Sequence, residues 1–222
     1  MRTSLALLIA CVFVGTSGIA QDKDVQQVDV AKLINALASE NPRPTERRGP
    51  DLKYPPDYDR KKQESVRSAI SKLKTLGPTA FKTLIANWGD KRYCLTYSVG
   101  INGYMDNATV GKMCRVILYD QIQPYGIWPL IDGDPRGKSG RPSYPSTFLA
   151  DARDADIWLE EHKGKSLFEM QLLVVDWVID QESKNLKDFT DEERKYMQDI
   201  RKKLAESKKP MTRGNYYADD YD

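Results

Sequence analysis

The tripeptide Leu76-Gly77-Pro78 restricts this chain more than any other short segment, because its last two residues each have a preferred place beside a helix. Glycine takes the left-handed position just past a helix C-terminus, and proline suits the first turn of the helix that follows. Apolar residues recur at helical spacing on both sides: Val66, Ile70, Leu73 and Leu76 before the break, Phe81, Leu84, Ile85 and Trp88 after it. The pattern predicts a helix over about 58–76, another beginning at Pro78, and a hairpin whose two inner faces are apolar.

The same periodicity organises most of the remaining chain. Val30, Leu33, Ile34 and Leu37 predict a first helix over about 27–39, ended by Asn41-Pro42. Residues 41–57 then carry Pro42, Pro44, Pro50, Pro55 and Pro56 among charges, which reads as an extended connector. Asn102-Gly103 marks a turn, and Asp106 or Asn107 can cap a helix over about 108–122 with the stripe Val110, Met113, Cys114, Ile117 and Leu118. Between 123 and 147 the periodicity vanishes among five prolines and four glycines, so that segment reads as a long irregular loop. A further helix is expected over about 149–162, closed by Gly164. Ser166 and Glu169 form a capping box for a helix over about 167–183. Its Leu172, Leu173, Val174, Val175, Trp177, Val178 and Ile179 wrap much of the circumference, which predicts the most buried helix. Thr190 and Glu193 repeat the box for a last helix to about 206, whose early acids and late lysines complement its dipole. Arg92–Val99 is the longest alternating stretch, and it is ambiguous. The expected class is all-α: an irregular bundle of about six helices with a long Gly/Pro-rich loop.

The N-terminus speaks to compartment. Arg2 is followed by ten uncharged residues, Leu5 to Val14, then by small residues up to Ala20 and the polar Gln21-Asp22-Lys23-Asp24. That is the three-part pattern of a secretory signal, with cleavage expected near Ala20. The apolar run is short for a membrane span of about 20 residues, though a retained N-terminal anchor competes with cleavage. Leu8-Ile9-Ala10-Cys11 also has the outline of a lipoprotein box, but the apolar stretch continues beyond it through Val12, Phe13 and Val14. The expected destination is outside the cytoplasm: secreted, periplasmic or in the cell envelope. Residues 21–57 then form an N-terminal helix and Pro-rich connector, 58–206 a helical domain, and 207–222 a disordered tail rich in Tyr and Asp near its end.

Loss of residues 1–20 removes Arg2 and leaves 33 basic against 32 acidic side chains. That balance argues against a nucleic-acid binder, which needs a concentrated basic surface. It also leaves Cys94 and Cys114 as the two cysteines of the exported chain. In an oxidising compartment they can form one disulfide, or each can be a small buried hydrophobe.

The Leu76-Gly77-Pro78 turn with Ala80, Phe81, Leu84 and Ile85 resembles the hairpin turn of HEAT-type helical repeats. Together with Gly164-Lys165-Ser166-Leu167 ahead of a helix containing Trp177, residues 60–205 resemble a group of uncharacterised exported bacterial helical proteins. The resemblance implies a HEAT-like hairpin within an irregular bundle. It brings no catalytic residues, and no second copy of the hairpin occurs at a period near 40 residues.

Candidate chemistry is thin. Asp132, Asp134 and Gly137 match positions 1, 3 and 6 of a calcium loop, but Arg136 and Ser143 stand where ligands belong. His162, the single histidine, can in principle act as base to Cys94 or Cys114, yet its charged surroundings suit a helix C-terminus or solvent better. A zinc site lacks a close pair of ligands, and no cofactor is implied. Asp151, Asp154, Asp156, Glu160 and Glu161 supply carboxylates; hydrolysis of glycans needs two of them facing across a cleft. Asp176 interrupts an apolar helix, which predicts a polar edge or a basic partner. Asn107-Ala108-Thr109 is a glycosylation sequon for a host that glycosylates exported proteins.

Recognition is best placed in the loop 123–147, where Tyr125, Trp128 and Tyr144 interleave with Arg136, Lys138 and Arg141. Such a mixture suits glycans, peptides or anionic polymers, although the aromatics can equally fold back over the core. The expected function is an exported helical interaction module for a protein or envelope polymer. The rival is a small extracytoplasmic hydrolase using paired carboxylates.

Overall fold

A computed structural model of the chain describes residues 29–45, 54–99, 104–124, 149–184 and 191–212. In chain order these form α1 (Val30–Asn35), α2 (Lys62–Thr75), α3 (Pro78–Ala86), β1 (Tyr93–Val99), β2 (Tyr104–Thr109), α4 (Val110–Ile122), α5 (Ala152–Glu161), α6 (Leu167–Lys184) and α7 (Asp191–Ser207). The fold is mostly helical. Among the described residues no helix is long and apolar enough to cross a membrane.

α4 is the centre of the molecule. Val110, Met113, Cys114, Ile117, Leu118, Tyr119 and Ile122 are buried around its circumference, and α2, α3, α6 and both strands pack on it. Full burial of each such leucine or isoleucine contributes about 1.5–3 kcal/mol. The expectation that the helix carrying Trp177 would be the most buried is therefore corrected. α6 buries Met170, Gln171, Val174, Val175 and Val178, but its opposite edge is wet. There Asp176 makes a two-armed ion pair with Arg201 of α7, at 2.5 and 3.2 Å. Val175 of α6 with Ile200 and Leu204 of α7 makes a small satellite core.

Gly77 does what its place predicts. It sits at φ +61°, ends α2, and is followed by Pro78 at the first position of α3. The two helices nevertheless do not form a HEAT-like hairpin closed on itself. Both turn their apolar faces onto α4 and α1, because Gln121 of α4 accepts from the Gly77 amide at 2.9 Å and holds the turn against α4. A largely buried ion pair between Lys74 and Asp120, 2.8 Å, joins α2 to α4 beside it.

The class is not all-α. Tyr93–Val99 pairs antiparallel with Tyr104–Thr109, with Val99 opposite Tyr104, Thr96 opposite Asn107, and an irregularity between Tyr93 and Leu95. The helix expected from about 108 thus begins at Val110, capped by Thr109, whose hydroxyl accepts from the Lys112 amide at 3.1 Å. Asp106 and Asn107 are strand residues instead. A lone two-stranded hairpin is marginal in water, and this one is held by its surroundings. The Asn107 amide donates to the Pro44 carbonyl at 2.8 Å, its oxygen accepts from Thr96, and the residue is buried. The glycosylation sequon is therefore closed in the folded chain.

The N-terminal pieces are pinned rather than merely ended. Asp29 caps α1, and the Ser39 amide donates to the Tyr93 carbonyl at 2.9 Å. The Asn41 side chain brackets the Asp59 backbone at 2.7 and 2.8 Å, so it positions the start of α2.

Between α3 and β1, Asp90 accepts from the Arg92 backbone and side chain, and its carbonyl accepts from Gly111 at 3.0 Å. That contact brings Gly111 so close to the end of α3 that a Cβ there would lie 2.2 Å from the Trp88 carbonyl oxygen. Backbone cannot retreat cheaply, so overpacking outweighs the helix propensity alanine would add. Gly111→Ala should lower stability by about 3 kcal/mol, read from urea unfolding.

Hydrogen bonding from Arg92 holds the Asp90 carboxyl below the usual carboxylate range. A depressed folded pKa contributes stability above the unfolded value of about 4 and loses it as pH falls through the folded value. Acidification through that window should lower the unfolding midpoint, and Asp90→Asn should flatten that part of the profile.

Candidate functional site

A surface depression lies between α5 and α6. Its position is set from α4. The Tyr119 hydroxyl donates to the Leu149 carbonyl at 2.9 Å, and Arg115 donates to the Ala150 carbonyl at 3.3 Å while lying over the rings of Trp88 and Tyr119. Leu149 is buried and held at φ +52°, a left-handed conformation that a branched side chain adopts at a cost. Asp151 then caps α5, accepting from the Asp154 amide at 2.9 Å. Three anchored residues in a row, Leu149, Ala150 and Asp151, thus fix the direction in which α5 leaves the core.

α5 packs its other side on α3 and presents Asp154, Ile157, Trp158 and Glu161 along one stripe at helical spacing. With Leu149 and His162 these residues form one wall of a cleft of about 380 Å³; Leu173 and Trp177 of α6 form the other. Ile157 is 48% exposed, unusual for an isoleucine, and the two tryptophans are half-buried. His162 occupies the C-cap position of α5 through its backbone, as its charged context suggests. Its ring, however, turns into the cleft and tilts against Trp158 with centroids 5.0 Å apart. Its Nδ1 atom is covered and makes no hydrogen bond.

The electrostatics of the cleft are negative. Asp154 and Glu161 are exposed on its α5 wall, and α5 has no basic residue in its last turn to offset the negative end of its dipole. Glu160 points elsewhere, to Lys82 and Lys163 at 3.6 Å each. Glu169, at the start of α6, accepts from both the Ser166 amide and hydroxyl at 2.7 and 2.6 Å, which holds its carboxyl below the usual range. This is the reaching-back half of the expected capping box. Asp154 and Glu161 lie seven residues apart on one helix, about 10 Å along its axis, and the facing wall offers Leu173 and Trp177. The lining residues thus bring no two carboxylates opposite each other, the arrangement glycoside hydrolysis uses.

Cys94 and Cys114 are elsewhere, in the core where β1 meets α4, and both are unbonded thiols. Burial pushes Cys114 up to about 12 and Cys94 higher still. Such thiols carry almost no thiolate, the nucleophilic form, and neither lines the cleft with His162. Among the described residues no group of three His, Cys, Asp or Glu side chains could hold a metal ion. The loop residues Tyr125, Trp128, Arg136, Lys138, Arg141 and Tyr144 lie outside the described residues, as do Asp132, Asp134, Thr190 and the Tyr/Asp-rich tail.

Sequence reasoning weighed the α5 carboxylates but missed the aromatic cleft beside them. The signal was available in part: Asp154, Ile157, Trp158 and Glu161 fall at i, i+3, i+4 and i+7. That spacing reads as an ordinary core stripe until α6 is seen to diverge from it. Trp177, read as core, stands at the edge of the core facing that gap.

Comparison with protein-family models, with curated proteins and with solved structures found no match to this chain.

The thiols give a direct check on the packing of β1 against α4. In the folded protein neither Cys94 nor Cys114 should react with iodoacetamide at mildly alkaline pH, and both should react in denaturant, as read by mass spectrometry. A linked pair would stay unlabelled in denaturant until reduced.

Proposed function

We propose that this chain is an exported interaction module, without catalysis of its own, that binds a protein or envelope polymer through the α5–α6 cleft. Export rests on the uncharged run Leu5–Val14 and the small residues leading to Ala20. The observation that carries the binding reading is a solvent-open cleft of about 380 Å³ with two tryptophans and a half-exposed isoleucine in its walls. Ligand sites are concave, largely apolar, and furnished with a few converging polar groups, and this cleft has Asp154, Glu161 and His162 in that role. Residues 125–148 rejoin the described chain at Leu149, which lines the cleft. Their Tyr125, Trp128, Arg136, Lys138, Arg141 and Tyr144 belong, on this reading, to the same recognition region.

Ile157 supplies the cleanest test, because an exposed residue can be changed with little effect on stability. Ile157→Arg should abolish capture of the partner from an extracytoplasmic fraction while leaving the melting temperature nearly unchanged. Replacing Tyr125, Trp128 and Tyr144 together by alanine should weaken the same capture. Capture indifferent to both changes would overturn the reading.

A further inference from the structure

Three features of the α5–α6 cleft converge on one chemistry. Its aromatic faces are indoles, from Trp158 on one wall and Trp177 on the other, and indole is the best cation–π partner among side chains. Its rim carries two exposed carboxylates, Asp154 and Glu161, on the same stripe of α5 as Trp158. The negative end of the α5 dipole opens at His162, with no basic residue in the last turn of the helix to neutralise it.

The α5 segment has the same sign, although Lys163 and Lys165 follow it directly. Residues 151–161 hold five carboxylates and one base, Arg153. Glu160 is occupied by Lys82 and Lys163, whereas neither Asp154 nor Glu161 has a basic side chain within ion-pair distance among the described residues. His162 adds a covered Nδ1 with no partner.

An apolar stem ending in a cation fits this arrangement: the stem lies along Ile157 and Leu173, and the head lies between the indoles and the carboxylates. Lysine and arginine side chains have that form, with long methylene stems and charged tips. We infer that the cleft receives a lysine or arginine side chain from a basic peptide segment of a partner protein. This deepens the interaction-module reading and rests on it. A neutral sugar would use the indoles but leave Asp154, Glu161 and the helix dipole without a counter-charge, and an anionic polymer would be repelled by all three.

The test uses the full chain and short blocked peptides, Gly-Lys-Lys-Gly and Gly-Arg-Arg-Gly, with Gly-Gln-Gln-Gly, Gly-Glu-Glu-Gly and a neutral oligosaccharide as controls. The readout is the nuclear magnetic resonance signals of the Trp158 and Trp177 indole N–H groups. The basic peptides should shift both signals, and the controls should not. Asp154→Asn and Glu161→Gln should each weaken binding roughly fivefold, and added salt should weaken it further. Trp177→Phe, which keeps an aromatic ring but a poorer one, should weaken it as well. Glutamine peptide or oligosaccharide shifting the indoles as strongly, or basic peptides bound equally well by the Asn and Gln variants, would overturn the cation assignment. No shift with any probe would overturn it too. In either case the interaction-module reading survives if capture still fails on Ile157→Arg; if capture is indifferent both to Ile157→Arg and to the joint replacement of Tyr125, Trp128 and Tyr144, both readings fall.

Discussion

The mutual register of the α2–α3 turn, α4, α6 and the segment after α7 depends on two buried glutamines being satisfied at once. Gln121, near the end of α4, accepts from the Gly77 amide at 2.9 Å and donates to the Ile117 and Leu73 carbonyls at 3.2 and 3.4 Å. Its own carbonyl accepts from Gln171 of α6 at 2.7 Å, and the Gln171 side chain in turn exchanges two hydrogen bonds with Met211, at 2.8 and 3.1 Å. An unsatisfied polar group costs about 1–3 kcal/mol when buried. The α2–α3 turn, α4, α6 and the segment after α7 must therefore settle in one mutual register, or several such penalties fall due together. Apolar burial draws these helices together without direction; the two amides select which of the many possible packings is kept.

That constraint explains which parts were legible in the residues and which were not. Local chemistry reads well. Gly77-Pro78, the Ser166–Glu169 bond and the polar edge at Asp176 each depend on neighbours within a turn, or on one residue being out of keeping with its helix. The β-hairpin reads poorly, because Cys94, Leu95 and Thr96 are buried consecutively and the two-residue alternation of a half-exposed strand is lost. Asn102-Gly103 between two short runs was the remaining clue, since that dipeptide is a strong hairpin signal. Asn107 looked like a helix cap because a small amide before an apolar stripe is a good one. Its partners, Thr96 and Pro44, come from distant parts of the chain. The HEAT-like likeness failed for a related reason. The turn has the local form of a repeat, but the partner of its apolar faces is α4, a choice made by Gln121 more than forty residues away.

The cleft belongs to the same class of hidden features. A helix stripe of Asp154, Ile157, Trp158 and Glu161 has no meaning until its facing element is known. What opens the gap is the way α5 leaves the core: Leu149 in a left-handed conformation, held by Tyr119, and Ala150 held by Arg115. Neither Leu149 nor Tyr119 carries a sequence mark of that role. Leu149 lines the same cleft as the two indoles, and conformations of this kind persist only where their surroundings over-determine them. The wall of the cleft is thus part of the rigid scaffold, which is the condition for holding two indoles and a carboxylate at fixed separation around a guest.

The burial of Asn107 has a consequence for how this chain can be made. Its amide nitrogen, the atom to which an N-linked glycan attaches, is the one that donates to Pro44. The sequon Asn107-Ala108-Thr109 is readable on an unfolded nascent chain, before β1 and β2 have closed over it. A sugar added at that moment is too bulky for the space between Thr96 and Pro44, so the hairpin and the start of α4 are barred from their native places. A secretory pathway that glycosylates ahead of folding would convert a silent, buried motif into a block on maturation, whereas one without that machinery would leave no trace of it.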